Sequence, residues 1–252
     1  MKQSFFAGLL AVALGLAAGS ARADYLRMEH FGHTNKLMVA GYTGNETLTN
    51  FPALVRLSES GIPGFRYSDL TSNKGRDIAF FDELGNHLAS EIQTNDWTTS
   101  GESLVWVGLP RMQQGTKFYL CYNTTESGVF VTNQNPWADY VGVWHMDETG
   151  TSGKTIYDST TNGLHGLTYA GSGNASGAVG KARKIAGDNN HAWGIVVDVL
   201  SDPDKKNKAE SLGTDFHASF WMLSQASKVD QSDSQNNIKW GNLLCRRNGD
   251  QG

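Results

Sequence analysis

The sequence predicts an all-β protein made of two β-sandwich (jelly-roll-like) domains, of which the second is truncated. Short apolar segments with the two-residue alternation of strands recur along the chain, and clusters of Gly, Ser, Asn and Asp separate them. The 29 glycines among 252 residues suit a fold with frequent turns. In the first domain no window of helical periodicity competes with these strands.

The first 23 residues have the pattern of a signal peptide. Lys2 supplies a positive start, residues 5–18 are almost wholly apolar, and residues 21–23 form a small-residue Ala-Arg-Ala cleavage site. The apolar stretch is shorter than the roughly 20 residues that span a bilayer. We expect an exported protein, periplasmic, cell-surface or secreted, whose mature chain begins at Asp24 and has no membrane span. An uncleaved membrane anchor is the alternative.

The charge of the mature chain excludes two classes of partner. Without Lys2 and Arg22, 19 basic residues face 25 acidic ones, which gives a net charge near −6. Nucleic acids and anionic membrane surfaces are bound by clustered Lys and Arg. The densest basic stretch, residues 204–210, has acidic residues at both ends and is typical of a solvated loop.

A polar, proline-containing stretch at residues 133–137 predicts the boundary between the two domains. The first domain then covers residues 24–135. The strands predicted at 78–82 and 87–92 flank the turn residues 83–86, and Gly85 or Asn86 is expected to take positive φ in this hairpin. The strand that begins at Ser103 is expected to stop before Pro110. The predicted strands are 50–57, 78–82, 87–92, 103–107 and 117–123.

The second domain covers residues 138–252. Its opening strand begins at Val141, and further strands are predicted at 179–185, 193–199, 216–223 and 238–245. These 115 residues are fewer than the roughly 150 to 200 of a complete two-sheet jelly roll. We therefore expect missing strands, exposed sheet edges and poor stability in this domain.

The first domain resembles a bacterial domain family of unknown function. The resemblance lies in FPALVRLSES, GFRYSDL, GRDIAFFDELGNHLASEI, WTTSGESLVWVGLP and KFYLCYN, which occur in the family's order between residues 50 and 123. Members of that family are commonly followed by a concanavalin A-like domain, and some belong to chains with a TolQ/ExbB/MotA-type proton channel. The resemblance implies a β-sandwich in an exported multi-domain protein and brings no activity with it.

The second domain resembles the concanavalin A-like (laminin G-like) lectin domains of exported bacterial proteins. The segments that carry the resemblance are VGVWHMDETGTSGKTIYDSTTNGLHG, VGKARKIAGDNNHAWGIVV and FHASFWML. The resemblance implies a jelly roll that recognises a glycan or a protein, and such domains often hold a structural Ca²⁺ near their loops. Asp158 and Asn162, in the segment Asp-Ser-Thr-Thr-Asn-Gly, are the first candidates for calcium ligands, because hard cations prefer oxygen. Ordinary turn chemistry, in which Asp and Asn bond their own backbone, is the alternative.

The sequence lacks a recognisable catalytic constellation, so we expect a protein that is not an enzyme. Glycosidases of the concanavalin A-like fold need paired carboxylates on one strand face, and the matching E-x-D-x-E pattern is absent. The nearest group is His145, Asp147 and Glu148 at the end of a strand. G-x-S-x-G, Walker and H-E-x-x-H motifs are also absent. His30 and His33 have a metal-binding spacing for a helix, but Gly32 favours a turn or edge strand.

Two residue types leave alternatives open. Cys121 and Cys245 are predicted as separate buried thiols, although an exported protein permits a disulfide between them. Among the seven tryptophans, Trp106, Trp144 and Trp221 lie in apolar strands and are predicted to be core residues. The other four have more polar surroundings and include the candidates for stacking on a sugar.

The sequence thus predicts a non-catalytic exported binding protein that recognises a glycan or a protein through its concanavalin A-like domain. The first alternative is the periplasmic portion of a TolQ/ExbB-like envelope assembly, with an envelope protein as its partner. The second is a fragment of a polysaccharide hydrolase. No cofactor other than calcium is suggested, and binding is expected from loop residues on a rigid sandwich.

Overall fold

The computed structural model describes residues 26–72, 75–94, 101–124, 135–150, 153–168, 172–185, 195–197 and 217–221. In these ranges the chain is all-β, with antiparallel sheets, two short 3₁₀ helices (Met28–His30 and Tyr67–Asp69) and no α-helix. This confirms the predicted fold class. The predicted signal peptide, the basic stretch 204–210, Cys245 and the predicted strand 238–245 lie outside the described residues.

The division into two domains stays a prediction, and the two predicted domains are called the first and the second domain below. The first domain is a sandwich of two antiparallel sheets. One sheet has the strand order β1-β7-β3-β4 and the other has the order β2-β6-β5. The strands are β1 (Phe31–Met38), β2 (Leu48–Leu57), β3 (Ile78–Asp82), β4 (His87–Leu88), β5 (Ser90–Thr94), β6 (Ser103–Met112) and β7 (Lys117–Thr124).

The alternation along each strand sends one set of side chains into the space between the sheets. In β6, Val105, Val107 and Leu109 are at most 2% exposed and pack against Phe80 of β3 and Leu120 of β7. Burial of such side chains contributes roughly 1.5 to 3 kcal/mol each. Positions 106 and 108 face the other way. The outer face of the β2-β6-β5 sheet therefore carries the ring of Trp106, with a gap beside it at Gly108, which has no side chain.

The hairpin between β3 and β4 forms as predicted. Phe80 pairs with Leu88, and Gly85 has a φ of +81°, which favours glycine. The Asp82 carboxylate closes the turn by accepting the backbone N–H groups of Leu84 at 2.9 Å and Asn86 at 2.8 Å. The turn residues therefore fix the register of β3 and β4.

Two predicted strand boundaries in this domain were wrong. The segment predicted as one strand at 87–92 divides at Ala89, so that β4 belongs to one sheet and β5 to the other. The strand predicted to stop before Pro110 continues to Met112. Proline is tolerated there because β5 pairs only with residues 104–107 of β6, and Pro110 therefore lies beyond the paired edge.

The second domain contributes a three-stranded sheet of order β12-β9-β8 and a separate hairpin, β10-β11. Its described strands are β8 (Thr155–Ile156), β9 (Gly166–Thr168), β10 (Ser172–Ser176), β11 (Lys181–Ile185) and β12 (Ile195–Val196). The opening strand predicted from Val141 is reduced to one bridge, between Trp144 and Asp158. Residues 217–221 of the predicted strand 216–223 are not in a strand. The jelly roll itself stays a prediction.

Several sequence-based expectations concern single residues. Cys121 is a buried free thiol, as predicted, and burial raises its pKa although the Thr34 hydroxyl at 3.5 Å partly offsets this. His33 lies on β1, an edge strand, also as predicted. Within the described ranges, none of the helices has the length and apolar character needed to cross a bilayer.

Candidate functional site around Asp158 and Glu91

Asp158 lies at the centre of the loop in which the sequence predicts a calcium site. Its side chain is buried, and its Oδ1 atom accepts the N–H groups of Val143 and Thr160, both at 2.9 Å. Its Oδ2 atom accepts the Thr160 hydroxyl at 2.7 Å and the Leu164 N–H at 2.9 Å. A carboxylate offers about four acceptor positions. Four donors therefore occupy this one, and the loop closes around it.

Asn162 lies in the same loop, as the sequence predicted, and its amide group also bonds to the backbone. Its Nδ2 donates to the carbonyl oxygen of Val141 at 3.0 Å. A calcium ion at Asp158 would have to displace N–H and O–H donors, since it binds oxygen ligands. In the described part of the chain, no three His, Cys, Asp or Glu side chains come together to hold a metal ion. Calcium binding by Asp158 and Asn162 stays an untested prediction.

Directly before this loop, the chain enters strand β8, whose outward face is exposed. Thr155 pairs with Leu167 of β9, and the same register places Tyr157 opposite His165. All four side chains are exposed, with Tyr157 at 60% and Leu167 at 42%, while Ile156 on the opposite face is fully buried. The Tyr157 ring meets the His165 ring edge-on at 5.3 Å. We refer to Thr155, Tyr157, His165 and Leu167 as the Tyr157 face.

Backbone contacts hold the Tyr157 face in place. The Glu148 carboxylate accepts the Tyr157 N–H at 2.6 Å, and the Asp158 N–H donates to His165 Nδ1 at 3.0 Å. In a neutral imidazole whose Nδ1 accepts a hydrogen bond, the proton lies on Nε2, which is then a donor. The face thus combines an aromatic ring, a hydroxyl group and a ring N–H.

The β10-β11 hairpin fixes the segment that carries Glu148. Asn174 and Arg183 are paired across the hairpin, and both side chains donate to the Glu148 carbonyl oxygen, at 2.6 and 2.9 Å. The Asn174 amide oxygen also accepts the Gly150 N–H at 3.1 Å. The hairpin therefore supports the segment that in turn supports Tyr157.

A second group of polar side chains joins the two predicted domains at Glu91 of β5. The Glu91 Oε1 atom accepts the Ser159 hydroxyl at 2.8 Å. Its Oε2 atom accepts the indole N–H of Trp137 and lies 3.4 Å from His145 Nε2. The side chains of Glu91 and His145 are only 21% and 12% exposed. Three donors from outside the first domain thus converge on one carboxylate.

Aromatic rings enclose this carboxylate. Trp106, which is paired with Glu91 across β5 and β6, packs against Trp137 at 5.2 Å and stacks on His145 at 6.0 Å. Tyr140 meets the Trp137 ring edge-on at 5.5 Å. Edge-to-face and offset aromatic pairs at such distances contribute about 0.5 to 1.5 kcal/mol beyond the buried area. We refer to Glu91, Trp106, Trp137, His145 and Ser159 as the Glu91 cluster.

The described part of the predicted linker, residues 135–137, is part of this interface. Pro136 packs at Gly108, where a Cβ atom would approach the Pro136 Cα to 3.4 Å. Asn50 of β2 donates to Asp139 at 2.6 Å. The linker therefore lies along the outer face of the β2-β6-β5 sheet, and it fills the gap that Gly108 leaves.

The electrostatics of the cluster favour an ionised Glu91. Burial alone raises its pKa, but the hydrogen bonds from His145, Trp137 and Ser159, together with the electrostatic attraction to His145, outweigh burial, so that the pKa lies below its ordinary value. The cluster contains a serine, a histidine and an acid, yet both Ser159 and His145 bond to Glu91. A hydrolytic triad needs the histidine between the serine and the acid. Glu91 is therefore a charged joint, by which we mean a carboxylate that links side chains of the two predicted domains, and His145 is not placed to activate Ser159.

The other candidates from the sequence lie apart or serve structural contacts. Of the group His145, Asp147 and Glu148, His145 belongs to the Glu91 cluster, whereas the Glu148 carboxylate accepts the Tyr157 N–H, so these two side chains serve separate contacts. His33 stacks on Tyr122 with ring centroids 5.0 Å apart.

The expectation of a core position for all three strand tryptophans was wrong. Trp106 and Trp144 are half-buried, and Trp221 is 83% exposed. Trp106 alternates onto the outer face of its sheet, where the linker covers it. Trp137, which lies in a polar stretch of sequence, is by contrast only 4% exposed.

Sequence reasoning missed Glu91, Trp137 and Tyr157. The alternation of β5 places the side chains of Ser90 and Glu91 on opposite faces of the sheet, with Glu91 on the outer face. A carboxylate on an outer face is ordinary, so its position alone did not indicate a site. The signal for burial there is the tertiary contact with the linker. Comparisons with known protein families, with characterised proteins and with solved structures find no match to this chain.

Proposed function

We propose that this chain is an exported, non-catalytic binding protein that recognises a glycan through its second domain. The observation that carries the proposal is the Tyr157 face. Tyr157 is 60% exposed although the backbone around it is fixed, since its N–H donates to Glu148 and the next N–H donates to His165.

The chemistry of the face suits a sugar. Pyranose rings have apolar C–H faces that pack on aromatic rings, and their hydroxyl groups need nearby donors and acceptors. Tyr157 provides the ring, and Leu167 extends the apolar surface. Thr155 and the Nε2–H of His165 provide polar groups on the same side of the sheet.

The rigidity of the face supports specific binding. A ring that is already held in place loses little conformational entropy when a ligand packs on it. Asp158 and its four donors fix the loop that follows Tyr157, and Glu148 fixes its N–H. Thr155 and Leu167 lie on β8 and β9, next to Tyr157 and His165, and residues on or beside strands are positioned more accurately than residues on free loops.

A glycan array tests the proposal, with the full chain as the probe and Tyr157→Ala as its variant. We expect the wild type to bind a subset of glycans and Tyr157→Ala to lose this binding, because packing of the sugar on the Tyr157 ring contributes most of the apolar contact. Leu84→Ala is the matched control, since Leu84 is an 88% exposed apolar side chain in the first domain.

Two results would contradict the proposal. A blank array for the folded wild type would exclude glycan recognition and leave a protein partner as the remaining class. Equal binding by wild type and Tyr157→Ala would show that the sugar lies elsewhere. Circular dichroism of each variant establishes that it is folded before the arrays are compared.

A further inference from the structure

We propose that Glu91, in the first domain, is a positioning residue for the ligand face of the second domain. The inference rests on the proposed glycan recognition by the Tyr157 face, and it adds a role for the first domain. In this view the first sandwich fixes the geometry of a binding surface that lies in another domain.

The path from Glu91 to the Tyr157 face is short. Glu91 Oε1 accepts the Ser159 hydroxyl at 2.8 Å, and Ser159 is two residues from Tyr157. The Ser159 N–H donates to the Val143 carbonyl oxygen at 2.8 Å, beside the bridge between Trp144 and Asp158. Asp158, between Tyr157 and Ser159, donates its own N–H to His165. A displacement of Ser159 therefore acts on both aromatic rings of the face.

A second set of contacts links Glu91 to the segment that precedes the Asp158 loop. His145 and Trp137 reach the other oxygen of Glu91, and His145 is followed by Met146, whose φ is +63°. A non-glycine residue in this left-handed region is strained, and such strain persists where the surroundings determine the conformation. The chain turns at Met146 so that His145 faces Glu91 while Glu148 faces Tyr157.

A carboxylate is the side chain that this arrangement requires. Trp137 and Ser159 each donate a hydrogen bond to Glu91, one to each oxygen, and a carboxylate accepts at both oxygens. A glutamine has one carbonyl oxygen, so it satisfies one donor and presents an N–H₂ group to the other. Because the cluster is enclosed by rings, its hydrogen bonds are stronger than in water and a missing one costs more.

The test uses Glu91→Gln and Ser159→Ala in the full chain, with Glu83→Gln as the control. Glu83 lies in the exposed β3-β4 hairpin and pairs only at 3.8 Å with Lys36. The probe is the glycan that the array identifies, titrated calorimetrically at a temperature where every variant is folded. We expect affinity to fall by about tenfold in Ser159→Ala and in Glu91→Gln, as for the loss of one hydrogen bond to a charged group, and to stay unchanged in Glu83→Gln.

Amide hydrogen exchange gives a readout that needs no ligand. We expect residues 157–165 to exchange faster in Ser159→Ala and Glu91→Gln than in the wild type, while the strands of the first domain keep their protection. Ser159→Ala is the milder variant and keeps the carboxylate with its other two partners. It therefore remains informative even where Glu91→Gln unfolds.

The outcomes separate this inference from the proposed function. Loss of binding in Tyr157→Ala together with unchanged affinity in Ser159→Ala and Glu91→Gln would overturn the role of Glu91 and leave glycan recognition intact. Binding that survives Tyr157→Ala would overturn the proposed function. Unchanged hydrogen exchange at residues 157–165 in both variants would overturn the positioning role whether or not a glycan is found.

Discussion

At the scale of single residues, the buried carboxylate of Asp158 holds its loop together through hydrogen bonds. Val143, Thr160 and Leu164 come from both sides of the loop, and all of them donate to this buried carboxylate. Hydrogen bonds to a charged group contribute about 1.5 to 3 kcal/mol each, and a buried donor left without a partner costs about 1 to 3 kcal/mol. The loop therefore depends on a single side chain.

Asp158→Asn is expected to lower the free energy of unfolding by roughly 2 to 3 kcal/mol, because the new amide nitrogen faces N–H donors and cannot accept them. Thermal unfolding followed by circular dichroism measures the change. Asp139→Asn is the control, since Asp139 is exposed and accepts a hydrogen bond from Asn50 on the surface. Equal losses for the two variants would contradict the structural role of Asp158.

The same measurement tests the calcium prediction. A ligand that binds only the folded state raises the unfolding temperature with its concentration. Because four donors already occupy the Asp158 carboxylate, we expect calcium added after chelation to leave the unfolding temperature unchanged. A calcium-dependent rise that disappears in Asp158→Asn would instead establish a metal site at Asp158 and Asn162.

At the scale of elements, the alternation of side chains predicted most strands of the first domain. The segments 50–57, 78–82 and 117–123 lie within or nearly match β2, β3 and β7. Alternation could not predict where a strand changes sheets. His87 and Ile92 belong to one predicted strand, yet Ala89 divides it between the sheets because sheet membership depends on partners distant in sequence.

Gly85→Ala tests the β3-β4 hairpin. Alanine at a φ of +81° is expected to cost about 1 to 2 kcal/mol of stability, since its Cβ crowds the backbone in this region. Thermal unfolding provides the measurement, and Gly173→Ala provides the control. Gly173 lies on β10, where a Cβ meets no atom within 4 Å and φ is not positive. A Gly85 variant as stable as the Gly173 variant would show that the turn is not strained by a side chain.

At the scale of the whole molecule, the two predicted domains meet at a charged joint that the sequence could not reveal. Asp158 and Asn162 could be assigned to one loop because they are four residues apart. Glu91 and Ser159 are 68 residues apart, and nothing in the sequence around either residue indicates the other as its partner. The outward position of Trp106 is visible in the alternation of β6, but the linker that covers it is a tertiary feature. Contacts of this kind depend on the docking of finished elements.

The pH dependence of stability tests the joint as a whole. The pKa of Glu91 in the folded protein lies below its ordinary value, as burial is outweighed by the bonds from His145, Trp137 and Ser159 together with the electrostatic attraction to His145. A carboxyl group with a lowered pKa stabilises the folded state above its unfolded pKa, near 4.3, and this contribution is lost as the pH falls through the folded pKa. Wild type should therefore exceed Glu91→Gln in stability at pH 7, and the difference should shrink as the pH falls below about 4.

Thermal unfolding of both proteins from pH 7 to about pH 3 measures this difference. Glu102→Gln is the control, because its carboxylate bonds to Arg56 on the same sheet face but is 39% exposed, so that water screens the interaction. For Glu102→Gln we expect a smaller difference in stability from the wild type at every pH. A gap between wild type and Glu91→Gln that stays constant over the whole range would mean that the joint depends on the shape of the Glu91 side chain and not on its charge, because shape does not titrate.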